Sequence, residues 1–114
     1  MQATVQRFRA AAAVLPAALA LVAGAAGAQD AKVGRVKAQA CSVCHGPVGL
    51  STQPDAPHLA SQPAVYLSTQ LKAYQTGTRK HEVMSVMART LSDEDIRDLA
   101  AWFSSIRIEA EAPR

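Results

Sequence analysis

An all-α fold with three main helices is what this sequence of 114 residues predicts. Three observations carry that prediction. Apolar residues recur at three- and four-residue intervals in three separate windows, the period of a helix with one buried face. Start and stop signals bracket those windows, above all the run Ser92-Asp93-Glu94-Asp95 and the lone Gly77. No stretch shows the strict apolar/polar alternation of a half-buried strand, and no internal repeat is found.

The chain begins with a polar, positive stretch, Met1 to Arg9, that contains Arg7 and Arg9. An uncharged apolar run from Ala10 to Ala23 follows, broken only by Pro16. Small side chains then occupy Ala25-Ala26-Gly27-Ala28 before Gln29-Asp30. Charged start, apolar middle and small-residue end make residues 1–28 a secretory signal peptide. The apolar run is shorter than the ~20 residues that span a bilayer core, so no stable membrane span is expected once the leader is cleaved. The mature domain is then 29–114. Lys and Arg outnumber Asp and Glu by 12 to 9, but without Arg7 and Arg9 the balance is 10 to 9. A nucleic-acid partner therefore loses its electrostatic support.

Within the mature domain, residues 31–40 read as the first helix, with Val33, Val36 and Ala40 as its apolar positions. From Gly46 to Pro63 the chain carries Pro47, Pro54, Pro57 and Pro63, and reads as a long loop of the kind that wraps around something. Pro63 suits the first turn of a second helix striped by Leu67, Leu71 and Tyr74, which Gly77 stops. A second loop, Thr78 to Leu91, holds His81, Met84 and Met87. Ser92 caps the third helix, its first-turn carboxylates complement the exposed N–H groups, and Leu91 and Ile96 form a staple across the cap. Ile96, Leu99, Phe103 and Ile106 make the buried face, and Pro113 lies beyond its end.

This is a thin core. Only Tyr66, Tyr74, Trp102 and Phe103 are aromatic after residue 28. The only cysteines, Cys41 and Cys44, could close at most one short loop, which constrains an unfolded chain little. Small exported domains compensate with a staple, and a large apolar cofactor would serve as one.

Cys41-Ser42-Val43-Cys44-His45 is the Cys-x-x-Cys-His signature of c-type haem attachment. Two thiols at this spacing reach the vinyl groups on one porphyrin edge, and the next residue turns an imidazole onto iron. The alternatives fit less well. A thioredoxin-like redox site belongs to an αβ pattern absent here. A structural zinc would need four ligands from Cys41, Cys44, His45 and His58 or His81. For the other face of the iron, Met84 and Met87 are candidates, and His81 is a rival giving a bis-imidazole haem of lower potential. His58 reads as a solvated loop residue.

With these residues in view the chain resembles a class I cytochrome c, of the c4/c5 or c-553 type. The resemblance runs in order through Cys41 to Pro47, Pro57 to Gln62, Tyr66-Leu67, Gln70-Leu71, Gly77 to Arg79, Met84, Leu91 to Ile96 and Asp98 to Phe103. It implies the small class I fold, three main helices packed around one covalent haem c and its iron. It places the axial methionine eight residues before Ser92, at Met84, with Met87 as the alternative. It also implies that the Pro57 carbonyl accepts a hydrogen bond from axial His45, and that Gly34 is the small residue where the first and last helices cross. Tyr66, Gln70 and Arg79 are candidate propionate contacts. Val48 and Leu50 make the loop after the haem motif more apolar than in relatives, as a docking surface would be.

The implied function is not catalysis but carriage of single electrons in the periplasm. A dehydrogenase or cytochrome bc complex would be the donor, and a terminal oxidase or reductase the acceptor. Two alternatives remain at this point: a dedicated electron-accepting subunit of an exported dehydrogenase, and an open-site haem sensor or peroxidase-like protein.

Overall fold

The structure, a computed structural model, describes residues 29–113. The expected leader, 1–28, and its cleavage site lie outside the described residues. Five helices follow one another: α1 (Ala31–Lys37), α2 (Ser42–His45), α3 (Ala64–Thr76), α4 (Met84–Arg89) and α5 (Asp93–Ser105). A 3₁₀ turn, Ala38–Ala40, joins α1 to α2. Among the described residues there is no strand, and α1, α3 and α5 form the frame.

Helix α1 starts at Asp30, whose side chain accepts the N–H groups of Lys32 and Val33. The buried face differs from the one its valines suggest. Val33 and Val36 are exposed, and Gly34 and Ala38 are buried instead. The cause is the crossing with α5. A Cβ on Gly34 would lie 1.9 Å from the carbonyl oxygen of Asp98 and 2.9 Å from Trp102 Cβ, so only glycine lets the two backbones come this close. The pair is also tied by charge. Asp98, almost fully buried, accepts the Asp30 N–H at 2.9 Å and the Lys37 ammonium at 2.9 Å. Lys37 reaches Asp95 at 2.7 Å as well.

Helix α5 begins with a full capping box: Asp95 N–H donates to Ser92 Oγ at 3.0 Å, and Ser92 N–H donates to Asp95 Oδ2 at 2.8 Å. It buries Ile96, Leu99, Ala100 and Phe103, and joins Ala38 and Leu67 in one core. Ile106 lies one residue past the helix in extended backbone, half-buried against that core. Pro63 stands just before the first residue of α3, which ends on left-handed Gly77. The segment 46–63 carries no helix. It is pinned to α5 through Ser61, whose N–H donates to the Phe103 carbonyl at 2.9 Å from a left-handed φ of 64°. The expected second loop is partly helical: Met84–Arg89 forms α4, which packs on α3. Six residues with no proline or glycine wind readily once a neighbouring helix supports them.

Candidate cofactor site

The cysteine motif folds as one tight turn. The Cys41 carbonyl accepts from Cys44 N–H at 3.3 Å and from His45 N–H at 3.0 Å, so the two cysteines stand one helical turn apart on the same side. Both are free and half-buried. Cys41 packs on the core, and burial pushes its thiol pKa up. Gly46, with φ +82°, ends the turn, and a Cβ there would meet the Leu50 carbonyl oxygen at 2.2 Å. The chain can double back beside His45 only through glycine.

His45 is buried, and its Nδ1 lies 2.8 Å from the carbonyl oxygen of Pro57. A carbonyl only accepts, so Nδ1 carries the hydrogen and donates. In a neutral ring Nε2 then keeps its lone pair, the form that ligates a metal. The loop that delivers Pro57 is itself held to the cysteine turn. Ser51 Oγ donates to the Cys44 carbonyl at 2.9 Å, and Gln53 Nε2 donates to the Val43 carbonyl at 3.1 Å. Exposed His58 takes part as well, its Nδ1 accepting the Ser51 N–H at 2.8 Å.

Met84 opens α4 and is half-buried, whereas Met87 is 38% exposed. His81 is exposed, and its Nδ1 accepts the N–H groups of Val83 and Met84 at 3.2 and 3.3 Å. In that tautomer Nε2 bears the hydrogen, so neither ring nitrogen offers a free lone pair. The geometry thus favours a thioether over His81 as donor from this segment. Arg79 lies over the Tyr74 ring at 4.7 Å and donates to Gln70 Oε1 at 2.6 Å, while Tyr66 is exposed.

Two features went unseen in the sequence. One is the Asp98–Lys37–Asp95 cluster across the α1–α5 crossing, whose partners are some 60 residues apart in the chain. The other is Gln75, whose Nε2 donates to the carbonyls of Ala88 and Leu91 at 3.2 and 2.6 Å and so fastens the far end of α4 to α3.

The residues present fit a covalent haem. Among the described residues, half of the buried apolar ones are alanines, and only Leu67, Ile96, Leu99 and Phe103 are large. Val43, Val65, Tyr66, Val83, Val86 and Met87 are all exposed. Two free thiols on one turn, followed by an imidazole with its tautomer set, are the donor types that would hold such a group. No group of three or more His, Cys, Asp or Glu side chains among the described residues could hold a metal ion by itself.

The family described as cytochrome c matches residues 31–107. Cytochrome c-554(548) of Halomonas halodenitrificans is 46% identical over 81 residues, a match covering 68% of this chain and 98% of that protein. The thiosulfate dehydrogenase electron acceptor of Stutzerimonas stutzeri is 39% identical over 69 residues, covering 58% of this chain and 32% of that protein. Among solved structures, reduced recombinant cytochrome c4 from Pseudomonas stutzeri superposes with a TM-score of 0.66 at 39% identity, over 70% of this chain and 47% of that one. The chain therefore spans nearly all of one relative and less than half of the others.

Proposed function

The chain belongs to the cytochrome c family, and on that premise we propose that it is an exported single-haem carrier passing electrons between redox proteins of the bacterial periplasm. Like its relatives it is an electron carrier and not an enzyme. The family's cofactor is covalent haem c, whose iron gains and loses one electron. We assign Cys41 and Cys44 as the thioether anchors, and His45 and Met84 as the axial ligands, with residues 1–28 as a cleaved leader and 29–114 as the haem domain.

The hydrogen bond from His45 Nδ1 to the Pro57 carbonyl carries this reading. It fixes ring orientation and tautomer from a loop that is itself bonded to the Cys44 and Val43 carbonyls. A ligand held this way moves little when charge at the metal changes, which is what rapid transfer requires. Cys41 and Cys44 retain the cofactor where the protein has too few side chains to enclose it. Contacts with partners would be small and transient, as redox encounters usually are.

A second reading, the electron-accepting subunit of an exported dehydrogenase, is favoured by the name that two relatives carry and by the exposure of Val48 and Leu50 beside the haem motif. Stable co-purification with a larger enzyme would select it over a free carrier.

The test is visible absorption of the exported protein, oxidised and reduced. The weak long-wavelength band of an iron–thioether bond is expected in oxidised protein, lost in Met84→Ala and kept in Met87→Ala. Absence of the band together with ready carbon monoxide binding by reduced protein would overturn the carrier reading in favour of an open-site sensor or peroxidase-like protein.

A further inference from the structure

We propose that His81 is the positioning residue for Met84, its ring capping the short helix that carries that methionine. The inference rests on Met84 being the axial ligand, and adds what holds it in place.

A helix start exposes N–H groups that need acceptors. At the start of α4 the position normally filled by Ser, Thr, Asp or Asn is Val83, which has no acceptor to offer. His81 supplies it from two residues upstream, its Nδ1 taking the N–H of Val83 at 3.2 Å and of Met84 at 3.3 Å. The rest of His81 closes the same turn. Its carbonyl accepts the Ser85 N–H at 3.0 Å, and its own N–H donates to Ser85 Oγ at 3.0 Å. Val86 and Met87 N–H both find the Val83 carbonyl at 3.0 Å. Every N–H from residue 83 to 87 is thus satisfied, and those of Val83 and Met84 depend on the His81 ring.

The ring is braced in turn. Tyr74 of α3 meets it edge to face, with centroids 6.4 Å apart and planes at 75°, and Arg79 covers the Tyr74 face. At its other end α4 is fastened by Gln75 of α3. A six-residue helix is far below the ~12–15 residues at which isolated helices become even marginal. Its position comes from packing on α3, where Ala88 is buried, and from these two attachments, of which His81 is the one at Met84. A thioether is a weak axial ligand, so the firmness of this turn decides how readily it is displaced.

The test titrates the oxidised holoprotein with free imidazole and follows loss of the thioether band, with amide hydrogen exchange at Val83 and Met84 measured in the same samples. In His81→Ala both the displacement constant and the two exchange rates should rise about fivefold, the size of a typical lost cap. Asn places Oδ1 where His places Nδ1, so His81→Asn should return both to within about twofold of the parent. Unchanged values in His81→Ala, or His81→Asn no better than alanine, would overturn the proposal. Retention of the band in Met84→Ala would refute the ligand assignment instead. The exchange rates would still decide whether His81 caps the turn.

Discussion

Replacing Gly34 by alanine sets two effects of opposite sign against each other, and the structure says which wins. On helix propensity alone, glycine to alanine inside α1 should stabilise by up to about 1 kcal/mol. The new Cβ, however, would sit 1.9 Å from the Asp98 carbonyl oxygen and 2.6 Å from its carbon, both backbone atoms of α5 that cannot rotate away. Close carbon–oxygen contacts run at about 3.3 Å, so α1 would have to retreat by roughly 1.4 Å. That retreat would stretch the 2.9 Å bonds from Asp30 N–H and the Lys37 ammonium to Asp98 beyond hydrogen-bond range. Overpacking of this kind costs ~1–3 kcal/mol or more, and clashing main chain puts this case at the upper end. The net expectation is a loss of about 2 kcal/mol, or about 8–16 °C in Tm for a domain of this size. Thermal and urea unfolding of the haem-loaded protein, followed by far-ultraviolet circular dichroism, would read it. Val36→Ala, at a 67% exposed position of the same helix, serves as the control and should fall within ~0.5 kcal/mol of the parent. A Gly34→Ala protein as stable as the parent, or more so, would refute the close crossing of α1 and α5.

Acid should weaken the same crossing with a predictable sign. Hydrogen bonds from Lys37, then from Ser92, hold Asp95 down at about 2, against ~3.9 in an unfolded chain. Its contribution is therefore complete above the unfolded value and fades as pH falls toward 2. Asp98, lowered chiefly by the Asp30 N–H and then by Lys37, acts in the same direction. Asp95→Asn should flatten the stability curve below ~pH 4, and an unchanged acid midpoint would count against the cluster. Removal of the proposed cofactor anchors by Cys41→Ala with Cys44→Ala should leave a chain without a cooperative urea transition. A haem-free transition with an m-value of ~1 kcal/mol/M or above would show that the four large buried side chains suffice alone.

The parts of the fold legible in the sequence are those written in local chemistry. Ser92 with Asp95 three residues later is a cap that any following helix would use, and the structure contains both of its bonds. Gly77 ends α3 because a left-handed residue costs glycine nothing. Helix α1 failed the same kind of reading at its valines. Its buried face is set by how closely α5 approaches, a tertiary fact, so Gly34 and Ala38 are inside while Val36 is 67% exposed. Helix α4 was hidden for a related reason. It lacks a conventional capping residue and is too short for periodicity to register, so only its contacts to α3 make it a helix.

The candidate site divides along the same line. The cysteine spacing and the following histidine are contiguous, so their chemistry can be read from five residues. The support around them is not contiguous. Pro57 reaches His45 across a loop that Ser51, Gln53 and His58 hold in shape, and no pattern in 46–63 announces those bonds. The two histidines outside the motif make the point most sharply. His81 offered a rival axial-ligand reading and His58 read as a solvated loop residue, and each uses Nδ1 to accept backbone N–H, His58 from Ser51 and His81 from Val83 and Met84. Their place in the turns around the site, rather than direct ligation, is what the geometry gives these two residues. Met84 and Met87 are the two thioethers in the segment before α5.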